Sequence, residues 1–130
     1  MILLFLHKGE KVSNNIFQIQ THLKKYKAYC ACERDLEMLN DGESELNFNQ
    51  KKRLEEVRKN RCMVENWLSI LSDEERHIIQ LHLIDGKSWK RIEAEYEQKD
   101  ENEYRATRTL MRYQQQALKK IEEYVCNMVA

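Results

Sequence analysis

The fold of this chain follows from residues 71–121, which read LSDEERHIIQ LHLIDGKSWK RIEAEYEQKD ENEYRATRTL MRYQQQALKK I. Apolar residues recur at helical spacing in three runs. Ile78, Ile79 and Leu81 mark the first run, and Trp89 begins the second, which is short. The third run is long and basic. The segment therefore predicts three helices separated by a glycine turn and a polar loop.

Two start signals and one stop signal support these boundaries. Ser72 precedes an apolar run and is followed three residues later by Glu75, a spacing typical of a capping box. Gly86 ends the first helix, since glycine adopts the left-handed cap conformation without steric cost. Ser88 is then positioned to cap the second helix. A short helix, a tight turn and a second short helix form the unit that presents a following helix to a groove.

The last helix is predicted to begin near Glu101 or Asn102 and to run to about Cys126. Its core face holds Tyr104, Leu110, Tyr113, Ala117, Leu118, Ile121 and Val125. No acidic residue occurs from Tyr104 to Ile121, although the formal net charge of the chain is zero. The basic residues in that interval are Arg105, Arg108, Arg112, Lys119 and Lys120. This segregation indicates either a nucleic-acid surface or a solvated basic helix that pairs with acids elsewhere.

The order of these signals resembles sigma-70 region 4, and more closely the sigma-region-4-like helix-turn-helix transcription regulators of Gram-positive phages and prophages, of the late-gene activator type. Leu71 with Glu75-Arg76 is similar to the opening of the family's first helix. Gly86, Ser88 and Ile92 are similar to its turn and second helix. Residues 105–121 look like the recognition helix. The resemblance covers about the last 60 residues.

The resemblance implies duplex DNA as the partner, and it suggests contact with host RNA polymerase. By the match, Thr107, Arg108, Met111 and Arg112 face DNA. The full set of candidate DNA-binding residues is Ser88, Lys90, Arg91, Arg105, Thr107, Arg108, Met111, Arg112 and Gln115. Two features depart from the family: Glu93 stands where Ala is usual, and the loop at 97–103 is longer and more acidic. An acidic loop beside a DNA backbone is repulsive.

The first half predicts a helical hairpin. One helix is expected from Asn14 to Asn40 and a second from about Asn49 to Leu71, joined by a turn at Asn40-Asp41-Gly42. The apolar positions are Ile16, Ile19, Leu23, Tyr26, Cys30, Leu36 and Leu39 in the first helix, and Leu54, Val57, Val64, Trp67 and Leu71 in the second. These stripes need cover from the second half of the chain, from a second copy in a homodimer, or from another protein. We therefore expect an all-α protein with an N-terminal hairpin at 1–70 and a helix-turn-helix at 71–130.

Composition narrows the class of protein. Three glycines, no proline and 34% charged residues favour long helices. The apolar start, Met1 to Leu6, is too short for a signal peptide or a membrane span, so we expect a cytoplasmic protein without membrane association. This hexapeptide is either a packed or frayed terminus or a patch that pairs protomers. Cys30, Cys32, Cys62 and Cys126 lack the spacing of a zinc site, and reduced thiols are expected.

Two functions remain open. The first is a sequence-specific DNA-binding transcription regulator encoded by a phage or prophage. The alternative is a protein-binding adaptor that contacts RNA polymerase or another protein through the same helical fold, which the zero net charge and the acidic loop favour. No nucleophile elbow, phosphate loop or histidine pair at ligand spacing is present in the sequence, so we expect neither catalysis nor a metal or cofactor.

Overall fold

The protein is all-α in a computed structural model that describes residues 12–42, 45–99 and 106–129. Within these ranges there is no strand, and no helix is long and apolar enough to cross a membrane. The N-terminal hexapeptide at 1–6, for which both alternatives stay open, lies outside the described residues, as do Tyr104 and Arg105. The helices are α1 (Val12–Lys24), α2 (Tyr26–Asn40), α3 (Phe48–Ser69), α4 (Asp73–Ile79), which continues into one π-helical turn (Gln80–Ile84), α5 (Trp89–Lys99) and α6 (Thr107–Val129).

The prediction of a single helix from Asn14 to Asn40 is wrong, because the helix is interrupted at Lys25. The Lys25 N–H still bonds to the carbonyls of Thr21 and His22, so α2 follows α1 with one irregular residue between them. The two helices nevertheless have different neighbours: α1 packs mainly on α6, whereas α2 packs on α3. The break lets one continuous segment contact two separate parts of the molecule.

Helices α2 and α3 pair along their length. Asn47 caps α3 by accepting a hydrogen bond from the Gln50 N–H, and the Gln50 side chain accepts one from the Asn47 N–H. Arg61 joins the helices through Glu33 at 2.8 Å. Leu54 is buried as predicted, but Leu39 is half exposed and does not belong to the predicted apolar face. The apolar contacts at the turn end of this pair come from Leu36, Leu46, Leu54 and Val57.

Helices α4, α5 and α6 form a three-helix unit, and its local signals are as the sequence predicts. The Ser72 hydroxyl accepts from the Glu75 N–H and the Glu75 carboxylate accepts from the Ser72 N–H, which completes the capping box. Gly86 has φ +72°, and the following N–H, of Lys87, bonds to the Leu81 carbonyl. The apolar interior of the unit is formed by Ile78, Leu81, Ile92, Tyr96 and Leu110.

One central core joins the two halves of the chain. Trp67 of α3 is 1% exposed. Its cluster contains residues from every helix except α5, including Ile19, Leu23, Tyr29, Val64, Ile79, Leu118 and Ile121. The apolar stripes of α1 and of the last turns of α3 are therefore covered within the chain itself. The division at residue 70 stays a prediction.

The start of the last helix also differs from the prediction. Ala106 is not helical and α6 begins at Thr107, later than the predicted Glu101 or Asn102. At the other side of the connection, Glu97, Gln98 and Lys99 are helical and complete α5. The predicted loop at 97–103 is therefore wrong for residues 97–99, which belong to α5.

Candidate nucleic-acid interface

The exposed face of α6 brings together five of the nine candidate residues. They are Thr107, Arg108, Met111, Arg112 and Gln115, and they line one shallow groove of about 470 Å³. Their spacing explains this, since residues three and four apart are neighbours on a helix surface. Thr107 is half-buried, and the other four are exposed. We call this set the α6 face.

The two arginines of the α6 face, Arg108 and Arg112, are exposed cations. Neither Arg108 nor Arg112 forms an ion pair with a carboxylate of the described residues. Most arginines elsewhere do form such pairs, and these are Arg53, Arg58, Arg61, Arg76 and Arg91. Arg34 on α2 is exposed and lacks one as well. These guanidinium groups, on a helix whose first acidic residue is Glu122, give the α6 face a positive potential.

Glu93 fixes the first turn of α6. Its carboxylate accepts a hydrogen bond from the Thr107 hydroxyl, which joins α5 to the beginning of α6. Glu93 is the residue that departs from the resembled family, where Ala is usual. In this chain the departure has a structural role. It also means that the Thr107 hydroxyl is already engaged.

His82 connects the middle of α6 to the glycine turn. Its ring stacks on Trp89 with 3.8 Å between ring centroids, and its Nδ1 lies 2.6 Å from the Gln114 Oε1. His82 belongs to the π-helical turn, Trp89 begins α5, and Gln114 is the neighbour of Gln115 in α6. The contact therefore joins all three helices of the unit.

Glu75 anchors the later part of α6. Its buried carboxylate accepts a hydrogen bond from Lys120 at 2.8 Å. Burial alone would raise the pKa of Glu75, but the hydrogen bonds with Lys120 and Ser72 outweigh it, so the pKa lies below its ordinary value. Lys120 is thus committed to a structural ion pair, and it does not add to the charge of the α6 face.

Three further candidates lie at the start of α5. The Ser88 hydroxyl accepts from the Arg91 N–H at 3.2 Å, which confirms the predicted cap. Lys90 is exposed, and Arg91 is exposed but within 3.9 Å of Glu95. A hydrogen bond from Lys87 holds the pKa of Glu95 below its ordinary value. The positive charge here is partly balanced, unlike that of the α6 face.

Several of these contacts could not be predicted from local sequence. Glu93, His82 and Gln114 carried no functional signal, because each gains its role from a residue on another helix. Asp85 is similar: Lys27 of α2 bonds to it at 2.8 Å and lowers its pKa, as does Gln80. Only the departure from the family at Glu93 marked one of these positions as unusual.

The comparisons with known proteins add no relative. No family model, curated protein or solved structure matches the chain. Within 12–42, 45–99 and 106–129, no three histidine, cysteine or acidic side chains are grouped so that they could hold a metal ion, and the four cysteines are free.

Proposed function

We propose that the protein is a sequence-specific transcription regulator that binds duplex DNA through α6. The observation that carries the proposal is a pair of exposed arginines, Arg108 and Arg112, that have no carboxylate partner among the described residues. They are four residues apart and so lie on one side of α6. A face with this charge attracts the phosphate backbone, and guanidinium groups also read guanine.

The dimensions of the α6 face suit the major groove. The major groove of B-DNA is about 12 Å wide and admits one α-helix. From Thr107 to Gln115 the helix rises about 12 Å, at about 1.5 Å per residue, which corresponds to three or four base-pair steps. Arg108 and Arg112 would donate to guanine O6 and N7, and Gln115 would pair with adenine N6 and N7. Arg105, outside the described residues, precedes this face in the same acid-free interval.

The rest of the unit would orient α6. Glu93, His82 and Glu75 hold its first turn, its middle and its later part against α5, the π-helical turn and α4. Side chains at the start of α5, Lys90 and Arg91, would contact phosphates and set the register without reading sequence. This division of labour is that of a helix-turn-helix.

The resemblance to phage and prophage regulators supports a role at promoters and contact with host RNA polymerase. A homodimer would fit a palindromic operator, since two-fold symmetry in the protein matches two-fold symmetry in the site. Sedimentation at micromolar concentration tests the dimer separately. A monomer there would remove the dimer and leave the DNA-binding proposal intact.

Binding to a randomised duplex at several salt concentrations tests the main proposal. We expect affinity to fall steeply with salt for the wild type. Arg108→Ala and Arg112→Ala should each weaken binding and relax the preference for guanine at one position of the selected duplexes. Arg34→Ala is the matched control, because it removes an exposed and unpaired arginine from α2. Equal affinities for all four proteins, or no binding by the wild type, would refute the proposal.

A second candidate is the protein-binding adaptor, which a different surface favours. Met38, Leu39 and Phe48 are exposed around the connection between α2 and α3, and Phe48 is 79% exposed. Three large exposed apolar side chains near one connection favour a protein interaction site there. Phe48→Ser distinguishes the two functions. If the protein acts by binding DNA, the variant should keep the wild-type affinity for DNA. If the protein is an adaptor, the variant should no longer bind RNA polymerase.

A further inference from the structure

Met111 is the apolar member of an otherwise polar surface. It is 43% exposed, three residues after Arg108 and directly before Arg112. The Thr107 hydroxyl is bonded to Glu93, so the polar groups left to read DNA in the α6 face are those of Arg108, Arg112 and Gln115. An exposed methionine among them has no polar atom to offer beyond a weakly accepting sulfur. Its contribution to recognition has to be an apolar contact.

The major-groove edges of the bases offer one apolar group, the C5-methyl of thymine. We propose that Met111 contacts the C5-methyl of a thymine that lies next to a guanine read by Arg108 or Arg112. This inference rests on the proposed function and specifies which base pairs the α6 face selects. A flexible, unbranched thioether side chain adapts well to a methyl group.

The spacing on α6 fits neighbouring base pairs. Residues at i and i+3 have their Cβ atoms about 5–6 Å apart, and long side chains from such positions reach base pairs separated by about 3.4 Å. Arg108 and Met111 have this relationship. The selected site should therefore contain a thymine beside a guanine.

The experiment uses the full chain and a randomised duplex library that contains thymine. Uracil is then substituted for thymine, because the two bases differ only by the methyl group. The tightest duplex selected from the thymine library is then resynthesised with a single uracil at each thymine position in turn. We expect one position at which uracil weakens wild-type binding by about fourfold, the equivalent of ~0.8 kcal/mol for one buried carbon group. Met111→Gln should still bind the duplex, but it should bind the thymine and uracil forms equally.

Met128→Gln is the matched control, because Met128 is 52% exposed in the last turns of the same helix and lies outside the α6 face. It should keep the wild-type preference for thymine. The inference is overturned if uracil at every position leaves wild-type affinity unchanged while duplex binding persists, or if Met111→Gln keeps the thymine preference. If no duplex is selected at all, the proposed function fails together with the inference.

Discussion

The Thr107 hydroxyl, in the first turn of α6, donates a hydrogen bond to the Glu93 carboxylate near the middle of α5. The two residues are 14 positions apart in the sequence, and their contact joins the two helices. The hydrogen bond holds the first turn of α6, the helix that carries Arg108 and Arg112, against α5.

Replacing Thr107 with valine tests this contact, since valine keeps the shape and removes the donor. We expect a loss of about 1 kcal/mol in the free energy of unfolding, as for a typical hydrogen bond. Urea denaturation measures it. Thr109→Val, two residues later in the same helix, is the control and should cost less. Similar losses for both variants would mean that the Glu93 contact contributes no stability.

Gly86 should be intolerant of a side chain for conformational reasons alone. An added Cβ would meet nothing within 4 Å, but φ is +72°. Gly86→Ala should therefore cost about 1–2 kcal/mol through left-handed strain. Gly42 is the comparison, because its φ is not positive and the nearest atom to an added Cβ is 3.4 Å away. Gly42→Ala should be neutral or stabilise by up to about 1 kcal/mol. Thermal melting of both variants gives the sign of each effect.

Replacing Glu122 should stabilise the protein to an extent that depends on pH. It is buried, and its Oε2 has no hydrogen-bond partner among the described residues. Burial raises the pKa of Glu122, and the neighbouring Glu123 adds to this. A carboxyl with a raised folded-state pKa loses stability as pH rises from its unfolded pKa through its folded pKa. Glu122→Gln should hence stabilise the protein at pH 7 but not at pH 4. Glu123→Gln, which removes an exposed charge from the same turn, should have a smaller effect at pH 7.

Replacing Glu75 should destabilise the protein, and the loss should be larger at neutral pH than in acid. Its folded-state pKa is lowered, so its charge stabilises the protein above the unfolded pKa, and that stabilisation is lost as pH falls through the folded pKa. Glu75→Gln should cost about 1.5–3 kcal/mol at pH 7, as for a hydrogen bond to a charged group, and less in acid. Asp73→Asn removes a fully exposed carboxylate from the same helix turn and should cost less than Glu75→Gln. Equal costs at pH 7 would assign the effect to the helix dipole.

The two tryptophans should behave differently. Trp67→Ala removes a side chain from the central core and should cost about 3–5 kcal/mol. Trp89 is half-buried, and Trp89→Ala should cost less, about 1–2 kcal/mol, through loss of the stack on His82. It should also weaken DNA binding, because α6 loses part of its support. Phe48→Ala is the exposed aromatic control and should leave the melting temperature unchanged. A Trp89→Ala protein that keeps its DNA affinity would contradict the supporting role.

Local sequence predicted the elements whose signals are local. The capping box at Ser72, the turn at Gly86 and the buried positions Trp67, Ile92 and Ile121 all follow from spacing within one helix. The second capping box, Asn47 with Gln50, had the same kind of signal and was missed.

The break at Lys25 had no signal, since no glycine, proline or capping residue marks it. It arises from packing, because α1 and α2 have different partners. The same holds for the candidate site. The face formed by Arg108, Met111 and Arg112 follows from helical spacing, whereas the contact of Glu93 with Thr107 depends on how two helices approach each other.

The break at Lys25 has a consequence for the order in which the chain can fold during synthesis. Leu23 of α1 shares a core with Val125 of α6, which is made about 100 residues later. At a synthesis rate of roughly 5–20 residues per second, α1 waits at least several seconds for its partner helix. Helix α2 meets α3 much sooner. Helices α2 and α3 can therefore pair while the part of α1 that packs on α6 is still uncovered.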